Sequence, residues 1–131
     1  MKRYLFGLPV VAVCVTMFAG ATNALAADKC KHETCWGAVG FSTSGAPSDI
    51  GFSYWYSSES GAAGRVKKEC PACDVIKTFA NSCGQLAVSS NGNWGFATGA
   101  NRDEAAANGV SICTANGGTD CKRRVWSCSL K

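Results

Sequence analysis

The sequence predicts an α+β domain made of two tandem ββαβ units, related by a pseudo-two-fold axis and crosslinked by disulfides. Three observations lead to this prediction. Two apolar strands, a helix of small residues and a third strand occur twice in succession. Eight of the nine cysteines follow an N-terminal export signal. Residues 27–131 have the length of one domain, so we expect a shared core in which the helices pack on a β-sheet.

Residues 1–26 have the three parts of a secretory signal peptide. Two basic residues open the chain, an apolar run follows over residues 5–18, and the small residues of Ala24–Ala26 precede the predicted cleavage site. The run is shorter than a transmembrane helix requires, which disfavours the alternative of an uncleaved anchor. We therefore predict an exported protein, periplasmic or extracellular, that has no membrane span after cleavage.

The first predicted unit covers residues 36–83 and follows an N-terminal extension, residues 27–35. Its strands alternate with loops and with one helix in which apolar residues recur on a single face. We predict strands that begin at Trp36, Ile50 and Cys73, and a helix over Ser58–Cys70.

The second predicted unit covers residues 84–128 and repeats this order. Asn91 and Gly92 separate its first two strands, and this pair favours a tight hairpin turn. Asn101, with Glu104 three residues later, is typical of a helix start. We predict strands that begin at Gly84, Trp94 and Cys121, a helix over Asn101–Cys113, and a domain that extends over residues 36–131.

Eight cysteines in residues 27–131 predict four disulfides, each of which adds about 2–4 kcal/mol to stability. Matching positions in the two units suggest two local pairs, and the cysteines that follow each third strand would meet across the pseudo-axis. We expect the pairs Cys70–Cys73, Cys113–Cys121, Cys83–Cys128 and Cys30–Cys35. The main competing pairing joins Cys35 to Cys83, because both precede a first strand.

The Cys70-Pro-Ala-Cys73 segment has the form of a thioredoxin-type redox motif. Its first cysteine lies at the predicted C-terminal end of a helix, where the negative end of the helix dipole raises the pKa of a thiol. A structural disulfide is therefore favoured, and a thiol oxidoreductase is the third functional hypothesis. A zinc site that combines these cysteines with Cys30 and Cys35 is disfavoured by an oxidising compartment, so we predict no metal and no cofactor.

The sequence offers no convincing catalytic residues. His32 is the sole histidine and lies in a charged turn, and no nucleophile elbow or phosphate-binding loop is present. Helix caps, turns and solvated surfaces explain six of the nine carboxylates, namely Asp49, Glu59, Glu69, Asp103, Glu104 and Asp120. We predict a protein that is not an enzyme, with a small cell-envelope hydrolase as the alternative.

Aromatic residues provide the candidate binding surface, for which we select Tyr54, Trp55, Tyr56 and Trp94. Strict alternation along the second strand would place Phe52, Tyr54 and Tyr56 on one face and Trp55 on the other. The competing interpretation is that these rings form the core of a domain poor in leucine. Exposed aromatics favour another protein as partner, and a glycan is also conceivable.

Charge argues against nucleic acid as a partner. The full chain has a net charge of +4, and loss of Lys2 and Arg3 with the signal leaves about +2. Basic residues at positions 122–124 lie on a predicted edge strand, where charges usually block pairing between sheets. We favour a non-catalytic protein-interaction module that neutralises a toxin or acts as a secreted effector.

The combined pattern resembles an exported bacterial family called domain of unknown function 4189. The resemblance rests on five segments: Trp36–Val39, Gly51–Ser58, Cys83–Val88, Trp94–Ala100 and Val125–Cys128. It implies export and the α+β fold described above. It implies no catalytic residues.

We expect the exported protein to begin at Ala27 when the full chain is expressed in a bacterial host. Intact-mass measurement and N-terminal sequencing of the exported material check this start and the loss of eight thiol protons to four disulfides. Recovery of a chain that retains residues 1–26 would contradict the predicted cleavage.

Overall fold

The computed structural model describes residues 29–131, which contain six strands and two helices. The predicted signal peptide and its cleavage site lie outside the described residues. No helix between residues 29 and 131 is long and apolar enough to cross a membrane. The elements are β1 (Trp36–Phe41), β2 (Ile50–Tyr56), α1 (Glu59–Glu69), β3 (Val75–Ala80), β4 (Cys83–Val88), β5 (Trp94–Gly99), α2 (Arg102–Ala115) and β6 (Lys122–Cys128).

The strands form two three-stranded antiparallel sheets, and the α+β class is confirmed. In the first sheet β1 lies between β2 and β3, and in the second β4 lies between β5 and β6. The prediction of one sheet is wrong because the chain leaves the first sheet directly after β3. There Asn81 adopts a left-handed conformation, with φ of 51°. It is held by two hydrogen bonds with the backbone of Cys35, each of 2.9 Å.

The two sheets pack face to face around a small apolar core. Its buried members are Val39, Phe41, Phe79, Leu86 and Val125. The helices cover the outer faces, so the layers run helix, sheet, sheet, helix. On the first sheet Ala62 and Val66 of α1 pack on Ala38. On the second sheet α2 buries four small residues, Ala105, Ala106, Gly109 and Cys113.

Polar side chains start both helices, and the one at Asn101 is the helix start that the sequence predicts. The Ser58 hydroxyl accepts a hydrogen bond of 3.1 Å from the backbone N–H of Gly61 at the start of α1. The Asn101 side chain accepts one of 2.8 Å from Glu104 at the start of α2. Each bond pairs a backbone N–H that has no partner inside the helix.

Glycines in β5 allow α2 to approach the second sheet closely. A Cβ atom at Gly95 would collide with the backbone of Cys113, and one at Gly99 would collide with the backbone of Ala105. A rigid helix backbone cannot move aside as a flexible side chain can. The small residues therefore set the distance between α2 and its sheet.

Four disulfides crosslink the described chain: Cys30–Cys35, Cys70–Cys73, Cys83–Cys128 and Cys113–Cys121. Cys83 and Cys128 are direct partners in the pairing of β4 with β6. The other three close short loops. A covalent bond therefore joins the first residue of the second sheet's central strand to the last residue of its edge strand.

We expect Gly95→Ala to lower the free energy of unfolding by about 1–3 kcal/mol, because the added methyl group forces α2 away from β5. Gly64→Ala is the matched control, since Gly64 is exposed on α1 and a methyl group added there would meet open space. The control should be neutral or stabilise by up to ~1 kcal/mol through helix propensity. Urea unfolding of the oxidised protein measures both. Equal stability of Gly95→Ala and the wild type would contradict the close seating of α2.

Candidate functional site: an aromatic groove between the sheets

An apolar groove of about 450 Å³ lies where β2, an edge of the first sheet, meets β6, an edge of the second. We call it the β2–β6 groove. Three of its aromatic side chains are unusually exposed: Phe52 by 48%, Tyr54 by 49% and Trp126 by 39%. The lining residues are Ile50, Phe52, Tyr54 and Trp55 from β2, and Arg124, Val125, Trp126, Ser127 and Cys128 from β6.

The two-residue period of β2 supplies one wall of this groove. Gly51 and Ser53 are buried beneath α1, and the Ser53 hydroxyl donates a hydrogen bond of 2.8 Å to the carbonyl of Ala62. Because side chains alternate along a strand, Ile50, Phe52 and Tyr54 project from the opposite face. That face extends beyond the buried core, which leaves Phe52 and Tyr54 in the groove.

A β-bulge then interrupts the alternation at Tyr54 and Trp55. Pairing with β1 steps from Ala38–Ser53 to Trp36–Tyr56, so two residues of β2 lie opposite one residue of β1. The extra residue shifts every later side chain to the other face. Consequently Trp55 joins Tyr54 in the groove, and their rings meet edge to face with centroids 5.3 Å apart.

Trp55 adopts a left-handed backbone conformation, with φ of 63°. This conformation is rare for a bulky residue and costs roughly 1–3 kcal/mol. A hydrogen bond of 2.9 Å from its backbone N–H to the Ser129 hydroxyl holds it in place. The surrounding fold thus maintains a strained aromatic residue on the wall of the groove.

The structure separates the four aromatic residues that we selected from the sequence. Tyr54 and Trp55 line the groove together, whereas Tyr56 packs on the α1 side because of the bulge. Trp94 packs on the core between the sheets, edge to face with Phe41 at 6.1 Å. The four residues therefore do not line one groove, although Tyr56 shares a neighbouring depression with Phe52 and Tyr54.

Phe52, Trp126 and Arg124 are groove residues that our selection omitted. Alternation on an edge strand could have indicated Phe52, since it precedes Tyr54 by two positions. The contribution of Trp126 and Arg124 depends on β6 lying beside β2. That placement follows from the packing of the two sheets and has no local signal in the sequence.

Basic side chains border the groove on the β6 side. The Arg102 guanidinium lies 4.0 Å from the ring centroid of Trp126, a cation–π contact that covers one face of the indole. Arg124 donates from Nη2 to the carbonyl of Ala46 at 3.2 Å. Its Nε is buried and has no hydrogen-bond partner among residues 29–131. A buried donor without a partner destabilises a fold by about 1–3 kcal/mol.

Serine hydroxyls join the two sheets along the groove. The Ser127 hydroxyl donates a hydrogen bond of 2.9 Å to the carbonyl of Ser53, and Ser129 accepts from Trp55 as described. Both serines are buried. They pair the backbone carbonyl of Ser53 and the backbone N–H of Trp55, which flank Tyr54 at the bulge of β2. The two walls of the groove are thereby fixed relative to each other.

The structure does not bring the cysteines together in a form that suits thiol or metal chemistry. Cys70 and Cys73 are buried in a disulfide at the C-terminal end of α1, and the Lys67 ammonium donates to the carbonyls of Pro71 and Cys73. Cys30 and Cys35 form a separate disulfide, so these four sulfurs are not the thiolates that bind zinc. Between residues 29 and 131 no three metal-ligating side chains cluster.

One acidic residue lies beside the groove, because Glu69 borders a neighbouring depression that also includes Phe52 and Tyr54. Glu59 accepts a hydrogen bond from Thr78, and Glu69 pairs with Arg65 at 2.7 Å. The Thr43 hydroxyl and backbone N–H hold the pKa of Asp74 below its usual value. His32 is exposed in the N-terminal extension. Within the described range, neither a carboxylate nor an imidazole lines the β2–β6 groove.

Comparison with known proteins places this fold in a family. No curated protein matches the chain. The NMR structure of Rv1813c from Mycobacterium tuberculosis is similar in fold, with a TM-score of 0.54, 22% sequence identity, and 72% of this chain and 75% of that chain covered. The family model for a domain of unknown function, DUF4189, matches residues 36–128. The chain therefore belongs to the DUF4189 family.

Proposed function

We propose that this chain is an exported, non-catalytic protein-interaction module that binds its partner through the β2–β6 groove. The observation that carries the proposal is the exposure of Phe52, Tyr54 and Trp126 along one groove. Large aromatic side chains dominate the energy of protein interfaces, and a small domain gains stability by burying them. Their exposure together is best explained by a partner that covers them.

The rigidity of the groove supports a binding role. Ser127 and Ser129 bridge its walls, and Cys128, which lines it, is bonded to Cys83 of the neighbouring strand. A surface that is ordered before binding loses less conformational entropy when the partner arrives. The groove therefore has the preorganisation that a binding site requires.

The chemistry of the lining favours a protein over a glycan. The lining offers few polar groups: the Arg124 guanidinium, the Tyr54 and Ser127 hydroxyls and the Trp indole N–H groups. The Ser127 hydroxyl is already bonded to the carbonyl of Ser53. A sugar needs several hydrogen-bonding groups to replace the water around its hydroxyls. An apolar protein segment needs few. A toxin that the domain neutralises, or a target outside the producing cell, would suit this surface.

The lining of the groove supports a non-catalytic role over a hydrolase, because no acid–base group of the described residues reaches it. Hydrolysis requires a positioned base or nucleophile within hydrogen-bonding reach of the substrate. The nearest carboxylate is that of Glu69, which borders a neighbouring depression and is paired with Arg65.

Export and duplication are part of the same proposal. Four disulfides persist in oxidising compartments, which fits the signal peptide predicted over residues 1–26. The units β1-β2-α1-β3 and β4-β5-α2-β6 have the same strand order, with each helix on the outside of its own sheet. We infer a pseudo-two-fold axis between the sheets that relates the two ββαβ units.

The double variant Phe52→Ser/Tyr54→Ser should lose at least tenfold in partner capture from the secreted and envelope fractions of producing cells. Removal of two exposed anchors costs binding energy without opening the core, so the variant should remain folded by circular dichroism. Quantitative mass spectrometry of the captured proteins measures the loss.

Ile112→Ser is the matched control, because Ile112 is 44% exposed on α2 and lies outside the groove. It should capture the same proteins as the wild type in the same amounts. Equal capture by the double variant, or a wild type that repeatedly captures no specific protein, would overturn the proposed function.

A further inference from the structure

The β2–β6 groove runs along the edge of a strand rather than across its face. Its β6 wall consists of five consecutive residues, Arg124–Cys128. Alternate side chains of a strand point to opposite faces, so a groove on one face would be lined by every second residue. Consecutive lining residues indicate that the backbone of β6 itself borders the groove.

Only alternate residues of β6 direct their backbone N–H and C=O groups toward β4, which leaves those of the residues between them free. The N–H of Ser129 donates to the carbonyl of Ser82 at 2.8 Å, which fixes that pair as hydrogen-bonded. Bonded and non-bonded pairs alternate in an antiparallel ladder, so Ser127 also points its backbone groups toward β4. Trp126 and Cys128 then point theirs toward the open edge, and β6 has no second neighbouring strand among the described elements.

The β2 wall of the groove presents side chains at the spacing of alternate residues in a strand. Ile50, Phe52 and Tyr54 lie at two-residue intervals on one face of β2. An extended peptide paired with the β6 edge would present every second side chain to this β2 wall. Five residues of β6 span roughly 16 Å at about 3.3 Å per residue, which accommodates a strand of similar length.

Charge along the groove indicates what that peptide contains. Arg124 lines the groove and forms no ion pair within residues 29–131, and no carboxylate lines the groove in the described part of the chain. A carboxylate is the strongest acceptor for a guanidinium N–H. A second copy of β6 would not supply one, because β6 contains three basic residues and no acidic residue.

We propose that the groove binds an extended peptide segment of a partner protein by strand addition to the free edge of β6. The segment pairs with the backbone of Trp126 and Cys128, places alternate apolar side chains on Phe52 and Tyr54, and sets an Asp or Glu carboxylate against Arg124. This inference rests on the proposed function and names the class of partner.

Selection of a phage-displayed library of random seven-residue segments on the oxidised domain tests the proposal. Enriched segments should combine an acidic residue with alternating apolar residues, and the end-blocked synthetic peptides should bind the domain. Arg124→Met, which keeps most of the side-chain volume, should weaken binding at least tenfold. Arg123→Met is the matched control, because Arg123 does not line the groove, and it should change binding less than twofold.

Two measurements report strand addition itself. Hydrogen exchange at the amides of Trp126 and Cys128 should slow when peptide binds, whereas the Ser127 amide, already bonded to β4, should change little. N-methylation of the peptide amides that face β6 should abolish binding. N-methylation of the intervening amides, which face away from β6, should leave binding unchanged. Failure to enrich any segment, or binding that leaves the two amides unprotected, would overturn strand addition.

The outcomes separate this inference from the proposed function. If Phe52→Ser/Tyr54→Ser loses its captured proteins but no peptide protects Trp126 and Cys128, the partner docks on the groove as a folded surface. Strand addition then fails while the binding function stands. If the same double variant captures its proteins normally, the proposed function fails whatever the peptides do.

Discussion

Face-to-face packing of the two sheets is the constraint on which the rest of the structure depends. The core residues Val39 and Phe41 from β1 meet Leu86 and Val125 from the second sheet. That contact brings the edge strand β2 beside the edge strand β6 and so creates the groove between them. A core of this size limits hydrophobic stabilisation, and the four disulfides compensate by restricting the unfolded chain.

Much of the fold is predictable because it follows from local patterns. The Asn91–Gly92 turn, the Ser58 and Asn101 caps and the apolar strands all act over a few residues, so their signals stand in the sequence itself. Matching positions in the two units also indicated three of the four cysteine pairs that the structure contains, and Cys30–Cys35 followed as the remaining pair, against the competing pairing of Cys35 with Cys83. The division into two sheets was missed because it depends on the left-handed turn at Asn81, a choice that tertiary packing stabilises.

The candidate site was predictable only in part, and the reason is the bulge in β2. Strict alternation assigns Tyr56 to the face of Tyr54, but one extra residue at Trp55 reverses that assignment. The bulge depends on a hydrogen bond between Trp55 and Ser129, which are distant in sequence. Trp126 and Arg124 likewise become groove residues only when β6 lies against β2. Contacts of this kind leave no periodic trace in a single sequence.

Three departures from the usual rules of folding occur in the β2–β6 groove. Trp55 holds a left-handed backbone, Arg124 buries a donor without a partner among the described residues, and Phe52 and Tyr54 leave large apolar surfaces in water. Each feature lowers the stability of the free domain. A bound segment would offset the exposure of the rings by covering them, and its carboxylate would pair with the charge of Arg124. The disulfides allow the domain to tolerate these costs while the groove is empty, which explains why rigid crosslinking and an exposed aromatic surface occur together.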